Sequence, residues 1–145
     1  MTIPNKALIL VADGRKFLFL RNDGNPMDPT LRVEAHGEQY NPPTREQGTD
    51  GPGRVNAGFG NARSATEATD FHQLEEDRFA ADAADMLRRR ALAGDFEQLI
   101  VVAPPRTLGE LRKHYHKEVE SRLIQEVPKD LTDHPILSIT KILSA

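Results

Sequence analysis

Residues 7–21 read ALILVADGRKFLFLR, and the interpretation of this stretch decides the fold. Ala7–Ala12 is an uninterrupted apolar run, which reads as a strand buried on both faces. Asp13-Gly14 follows at once, and Arg15–Arg21 carries a second apolar run. Two such runs joined by Asp-Gly are the strongest short-range hairpin signal, because a type I′ turn needs positive φ at both central residues. The expectation is a hairpin whose first strand lies inside a sheet.

Outward from this hairpin, Asn22–Pro29 (NDGNPMDP) is a turn cluster. Leu31, Val33 and Ala35 alternate with Arg32, Glu34 and His36, which predicts a third, half-exposed strand and an antiparallel meander. Tyr40–Thr69 then has no core of its own, with glycines at 48, 51, 53, 58 and 60 and prolines at 42, 43 and 52. Loops of this length inside compact domains are usually functional or disordered, so function is expected here. Ser64 with Glu67, and Asp70 with Gln73, have capping-box spacing. The helix is expected from near Asp70 to about Ala93, stopped by Gly94. Phe79, Ala83, Met86 and Leu87 centre its apolar stripe, with Phe71 at the edge. Arg88-Arg89-Arg90 falls near its C-terminus, where cations favour the helix dipole.

Leu99–Ala103 reads as a second fully buried strand, ended by Pro104-Pro105. Thr107 and Glu110 form another capping box, opening a helix through Leu108, Leu111 and Tyr115. The same row continues through Val119 and Leu123, which leaves one long helix or two jointed helices open. Gln125–Leu131 is a weak strand that Pro128 confines to an edge or an end. Asp133 is expected to cap a last helix, with Pro135 in its first turn and Ile136, Ile139 and Leu143 on one face. This order predicts a single α/β domain over residues 1–145. Its architecture would be a ribonuclease-H-like mixed five-stranded sheet, a three-strand meander followed by βα units, with helices packed on it and an exposed loop over 40–69.

Composition narrows the function classes. The chain has 145 residues, 38% hydrophobic and 28% charged, with net charge -3. No global excess of positive charge marks it as a binder of nucleic-acid backbones, although a local patch could still do so. The absence of cysteine excludes disulfides, cysteine nucleophiles and thiolate metal sites, and suits a reducing cytoplasm. The N-terminal apolar run lacks the basic lead-in of a signal peptide. No stretch approaches the ~18 apolar residues of a membrane span. The expected location is cytoplasmic.

Arg45, Arg54 and Arg63 punctuate the loop, and its glycines leave backbone N–H groups open. Together they could hold a phosphate or a carboxylate, with Gln47, Gly48 and Asp50 shaping the contact. Neither the dinucleotide nor the P-loop fingerprint is met, and Glu46, Asp50 and Glu67 offset the arginine charge. His72, Glu75 and Glu76 have a spacing that can chelate a divalent metal, and His72 is kept as a candidate ligand-binding residue. The same acids suit a solvated first helical turn, and a second ligand cluster is not evident, so no metal or cofactor is expected. Lys113-His114-Tyr115-His116-Lys117 could touch RNA; more simply, Tyr115 lies on the core row and its neighbours face solvent. Asp13 and Asp130 are acids at strand ends without an evident third. No Ser-His-Asp motif or nucleophile elbow is present, so no catalytic residue is assigned.

The segments VADGRKFLFLRN, NPPTREQGTDGPGRV, ATDFHQLEEDRFAADAADML, IVVAPPRTLGELRKHYHKEV and KDLTDHP resemble the bacterial host-attachment protein family over nearly the whole chain. That family is similar to the middle domain of archaeal and eukaryotic peptide-chain release factors. In release factors the catalytic Gly-Gly-Gln lies between the third strand and the long helix, the place that loop 40–69 occupies here. The local sequence is Glu46-Gln47-Gly48, so peptidyl-tRNA hydrolysis does not carry over. The resemblance implies a fold and a loop in an exposed position; the function expected for such a chain is a non-enzymatic or regulatory module that binds RNA, the ribosome or another anionic partner through the loop. One alternative is an ester hydrolase acting on peptidyl-tRNA or RNA, with Gln47 positioning water and Asp13 or Asp130 holding a metal. The other is a protein-interaction domain. The oligomeric state is not legible from the sequence.

Overall fold

The computed structural model describes residues 1–38 and 65–145, and side chains for 1–37 and 73–145. The strands are β1 (Leu8–Ala12), β2 (Lys16–Asn22), β3 (Leu31–Glu38), β4 (Leu99–Val102) and β5 (Leu123–Val127). The helices are α1 (Ala65–Leu92), α2 (Pro105–Arg112), α3 (Lys117–Glu120) and α4 (Ile136–Ser144). The five strands form one sheet in the order β3-β2-β1-β4-β5. β1–β2 and β2–β3 are antiparallel, whereas β1–β4 and β4–β5 are parallel. This is the expected α/β domain with a mixed five-stranded sheet, a meander and then βα units.

All five residues of β1 are buried because the strand is central and covered on both faces. Leu8, Leu10 and Ala12 join Phe19, Leu99 and Val101 under the helical layer of α1 and α2. Ile9 and Val11 join Leu20, Ile100 and Val102 on the opposite face, beneath Ile139 and Leu143 of α4. Period-two alternation therefore places apolar side chains on both faces, which is why β1 reads as a continuous apolar run. The stripe on α1 is as expected: Phe79, Ala83 and Leu87 are buried and Met86 packs against them. Fully burying each large apolar side chain contributes about 1.5–3 kcal/mol. The side chain of Phe71 lies outside the described residues.

Several boundaries differ from the expectation, each for a physical reason. Only Gly14, at φ 98, has positive φ in the β1–β2 turn, so the turn is not type I′. Instead Asp13 Oδ1 accepts from the backbone N–H groups of Arg15 and Lys16, both at 2.9 Å, an Asx arrangement that side-chain chemistry supplies without left-handed backbone at Asp13. Helix α1 begins at Ala65, five residues before the expected start, next to Ser64 rather than Asp70. Helix α2 begins at Pro105, and Pro104 precedes it without a side-chain cap, so Thr107 lies inside the helix and not at its start. A proline at the first helical position loses no hydrogen bond, which favours this earlier start.

The row from Leu108 to Leu123 splits. α2 ends at Arg112, and α3 restarts at Lys117 with His116 Nδ1 accepting from the Glu118 N–H at 3.0 Å. Leu123 belongs to β5, which ends at Val127 rather than Leu131; Pro128 follows it at a sheet edge. The last helix has Pro135 at its cap with no side-chain hydrogen bond, so Asp133 does not cap it. Asp133 is ion-paired to Lys16 instead.

Strand β3 contains the least expected feature. Ala35 pairs with Phe19 and Val33 pairs with Leu20, which leaves Glu34 as an extra residue in a bulge. Alternation therefore breaks at Glu34, and the bulge turns its carboxylate towards Arg21 on the same side as Phe19.

Candidate functional site

Strands β1, β3, β4 and β5 all run in one sense, so their C-terminal ends share one end of the sheet. Glu38 closes β3 beside Lys16 at that end. The chain between β3 and α1 therefore starts there. The connection from β1 goes to β2 on one side, and the connection from β4 leads to β5 on the other. The crevice between the ends of β1 and β4 is thus a topological switch point, where open α/β sheets place their ligands.

The groups at this crevice come from the β1–β2 turn, α1 and α2. Gly14, buried and left-handed, follows β1; a Cβ there would lie 3.5 Å from Thr107 Oγ1 and 3.9 Å from Glu76 Cγ. Thr107 is 8% exposed, and its hydroxyl has no hydrogen-bond partner among the described residues. It belongs to the first turn of α2, where Leu108 N–H is the first to bond a backbone carbonyl, that of Pro104 at 2.9 Å. The N–H groups of Arg106 and Thr107 are therefore open, as at any uncapped helix start. Arg106 pairs with Glu76 of α1 at 3.5 Å.

Beside the crevice, Asp13 and Asp130 meet at one hydroxyl. Thr132 Oγ1 lies 3.0 Å from Asp13 Oδ2 and 2.8 Å from Asp130 Oδ1. The hydroxyl has one proton to share between the two carboxylates, and through Asp13 it ties the segment after β5 to the β1–β2 turn. Sequence reasoning named both acids, and the structure brings them together. Among the described residues no group of three or more acids or histidines is placed to hold a metal ion. Glu75 pairs with Arg78 at 3.1 Å and Glu76 with Arg106. The side chain of His72 lies outside the described residues, as do Arg45, Gln47, Gly48, Asp50, Arg54 and Arg63.

In the Lys113–Lys117 segment, Lys113 pairs with Glu110 and His116 caps α3. Tyr115 packs against the core, and its hydroxyl is buried with no partner among the described residues. Burial pushes its phenol far above the ordinary value of 10.0, so it stays protonated.

A second cluster was not anticipated from sequence. Arg21 is buried, and its guanidinium donates to Glu34 Oε2 at 2.9 Å, to Asp95 Oδ2 at 3.0 Å, and to the carbonyls of Lys6 and Asp95. Arg90 reaches Glu34 and Asp95 from the last turns of α1, and its guanidinium lies 5.0 Å above the Phe19 ring. Burial raises the Glu34 carboxyl, but hydrogen bonds from Arg21 and Arg90 outweigh it, so its pKa lies below the ordinary value. Arg90 was read only as a dipole partner. The one sequence signal was an arginine and a glutamate on strands pairing in register, and only the bulge makes them meet. An open groove of about 590 Å3 runs alongside, with Met86, Val33 and Arg89 on its walls.

Fold and crevice define a small α/β domain that carries its candidate site at the C-terminal edge of its parallel strands. Residues 6–143 match the model of bacterial archaeo-eukaryotic release factor family 12, and the chain belongs to that family. No curated protein matches the chain. Among the described residues, no helix is long and apolar enough to cross a membrane.

Proposed function

We propose that this protein is a non-enzymatic or regulatory module that binds RNA or the ribosome through loop 40–69. The observation that carries the reading is membership of a release-factor family together with a loop that starts at the ligand-binding end of the sheet. Arg45, Arg54 and Arg63 would grip phosphates, Gln47, Gly48 and Asp50 would shape the contact, and His72 would add to it from within α1. The role is cytoplasmic in this reading, and any effect on attachment to host cells is indirect. The Glu46-Gln47-Gly48 sequence in place of Gly-Gly-Gln favours binding over hydrolysis of peptidyl-tRNA.

The test is RNA retention at graded salt. Replacing Arg45 and Arg54 with Ala should weaken retention and reduce the salt slope by about two, one per lost phosphate contact. Unchanged retention rejects the anion grip. Pull-down of the tagged protein with and without ribonuclease separates RNA-dependent partners from protein ones, and survival of all partners after ribonuclease favours a protein-interaction domain.

A further inference from the structure

We propose that the crevice between the ends of β1 and β4 is a binding site for a phosphate group. The proposal stands on described residues alone and does not depend on the loop arginines.

Three independent features converge there. The first is the uncapped start of α2, an eight-residue helix with no acid in its first turn. Its open Arg106 and Thr107 N–H groups and the positive end of its dipole favour an anion. The second is the Thr107 hydroxyl. Thr107 is 8% exposed and its hydroxyl makes no hydrogen bond among the described residues, so the hydroxyl is available to a ligand. Tyr115 is the described side chain whose oxygen is sealed from solvent without a partner, so the Thr107 oxygen remains reachable. The third is Gly14, whose missing side chain keeps the space in front of that hydroxyl open. A small residue at this place lets a ligand approach the backbone closely.

Charged neighbours fit this use. Arg106 is largely exposed and can swing from Glu76 to a phosphate oxygen, giving a guanidinium that reaches over the site. The oxygens of Asp13 are engaged by the Arg15 and Lys16 N–H groups and by the Thr132 hydroxyl. Asp130 is likewise occupied by Thr132. Lys16 is paired with Asp133. Glu76 lies at the crevice, and it would compete with the ligand for Arg106. A phosphate bound here would receive two backbone N–H bonds, the Thr107 hydroxyl and one guanidinium.

The same chemistry can come from an RNA backbone or from free phosphate and its monoesters, and amide-resolved NMR on the full chain distinguishes them. Titration with inorganic phosphate, against chloride at matched ionic strength, should move the Gly14, Arg106 and Thr107 amides saturably. Thr107→Val should weaken binding by about ten-fold, the loss of one charge-assisted hydrogen bond. Thr107→Ser should restore it, and Glu76→Gln should tighten it. If Thr107→Val fails to fold, Arg106→Ala carries the same expectation at an exposed position. A short oligouridylate that moves the same amides assigns the site to RNA; if only inorganic phosphate moves them, the natural ligand is free phosphate or a monoester. Shifts that never saturate at these amides, or equal affinity in Thr107→Val and the parent, overturn the proposal. Arg45→Ala with Arg54→Ala should leave the phosphate response intact even where RNA retention is lost, so the loop reading and this one fail separately.

Discussion

Replacing Glu34 with Gln keeps the shape of the side chain and removes its charge. Glu34 is the shared acceptor for Arg21, Arg32 and Arg90. With Gln in its place, Arg21 keeps Asp95 and two backbone carbonyls but loses the carboxylate that takes both its Nε and Nη2. Its side chain is 8% exposed, so the charge cannot turn to water. Breaking a buried pair by removing one partner costs ~3–5 kcal/mol. Because Asp95 remains, the lower end applies, about 3 kcal/mol. For a domain of this size that corresponds to a melting temperature lower by roughly 10 °C.

The pH dependence supplies a second reading of the same variant. The folded-state carboxyl of Glu34 lies below its ordinary value of 4.5. A depressed acid contributes stability that is fully present above the unfolded pKa and is lost as pH falls through the folded pKa. Urea unfolding followed by circular dichroism should therefore show a large gap between wild type and Glu34→Gln at pH 7. The gap should close as pH drops below about 4.5. Equal unfolding midpoints at pH 7, or a gap that does not narrow in acid, would refute the argument that a bulged glutamate holds α1 to the sheet.

Two further outcomes follow from the geometry. Asp13→Ala removes three accepted hydrogen bonds that hold the β1–β2 turn and the segment after β5; a loss of about 1–3 kcal/mol in urea unfolding is expected, and an unchanged midpoint would show that the turn holds without it. Tyr115→Phe removes a buried hydroxyl that has no partner; stability should stay equal or rise by about 1 kcal/mol, and a clear loss would mean that the hydroxyl is in fact satisfied.

Much of the architecture was legible because it rests on local periodicity. Ala7–Ala12 read as a strand buried on both faces because a six-residue apolar run followed at once by Asp-Gly suits a central strand opening a hairpin. The stripe through Phe79, Ala83 and Leu87 has one face and one period, so α1 and its buried side followed from spacing. Helix starts were less legible. Three Ser, Thr or Asp positions had capping-box spacing in α1 and α2, and proline at the first position of α2 and at the cap of α4 stands where side-chain caps were expected. Likewise, an i, i+4 row across Leu108–Leu123 does not reveal that His116 interrupts it.

What the sequence by itself determined was the five strands in their order, the first and last helices and the α/β class, because each is signalled by residues a few positions apart. What only the tertiary structure decided was who meets whom across the chain. Arg21 finds Asp95, Asp13 shares a hydroxyl with Asp130, and Gly14 faces Thr107. These meetings depend on strand register and on a one-residue bulge, and a slip of one residue sends every side chain to the opposite face.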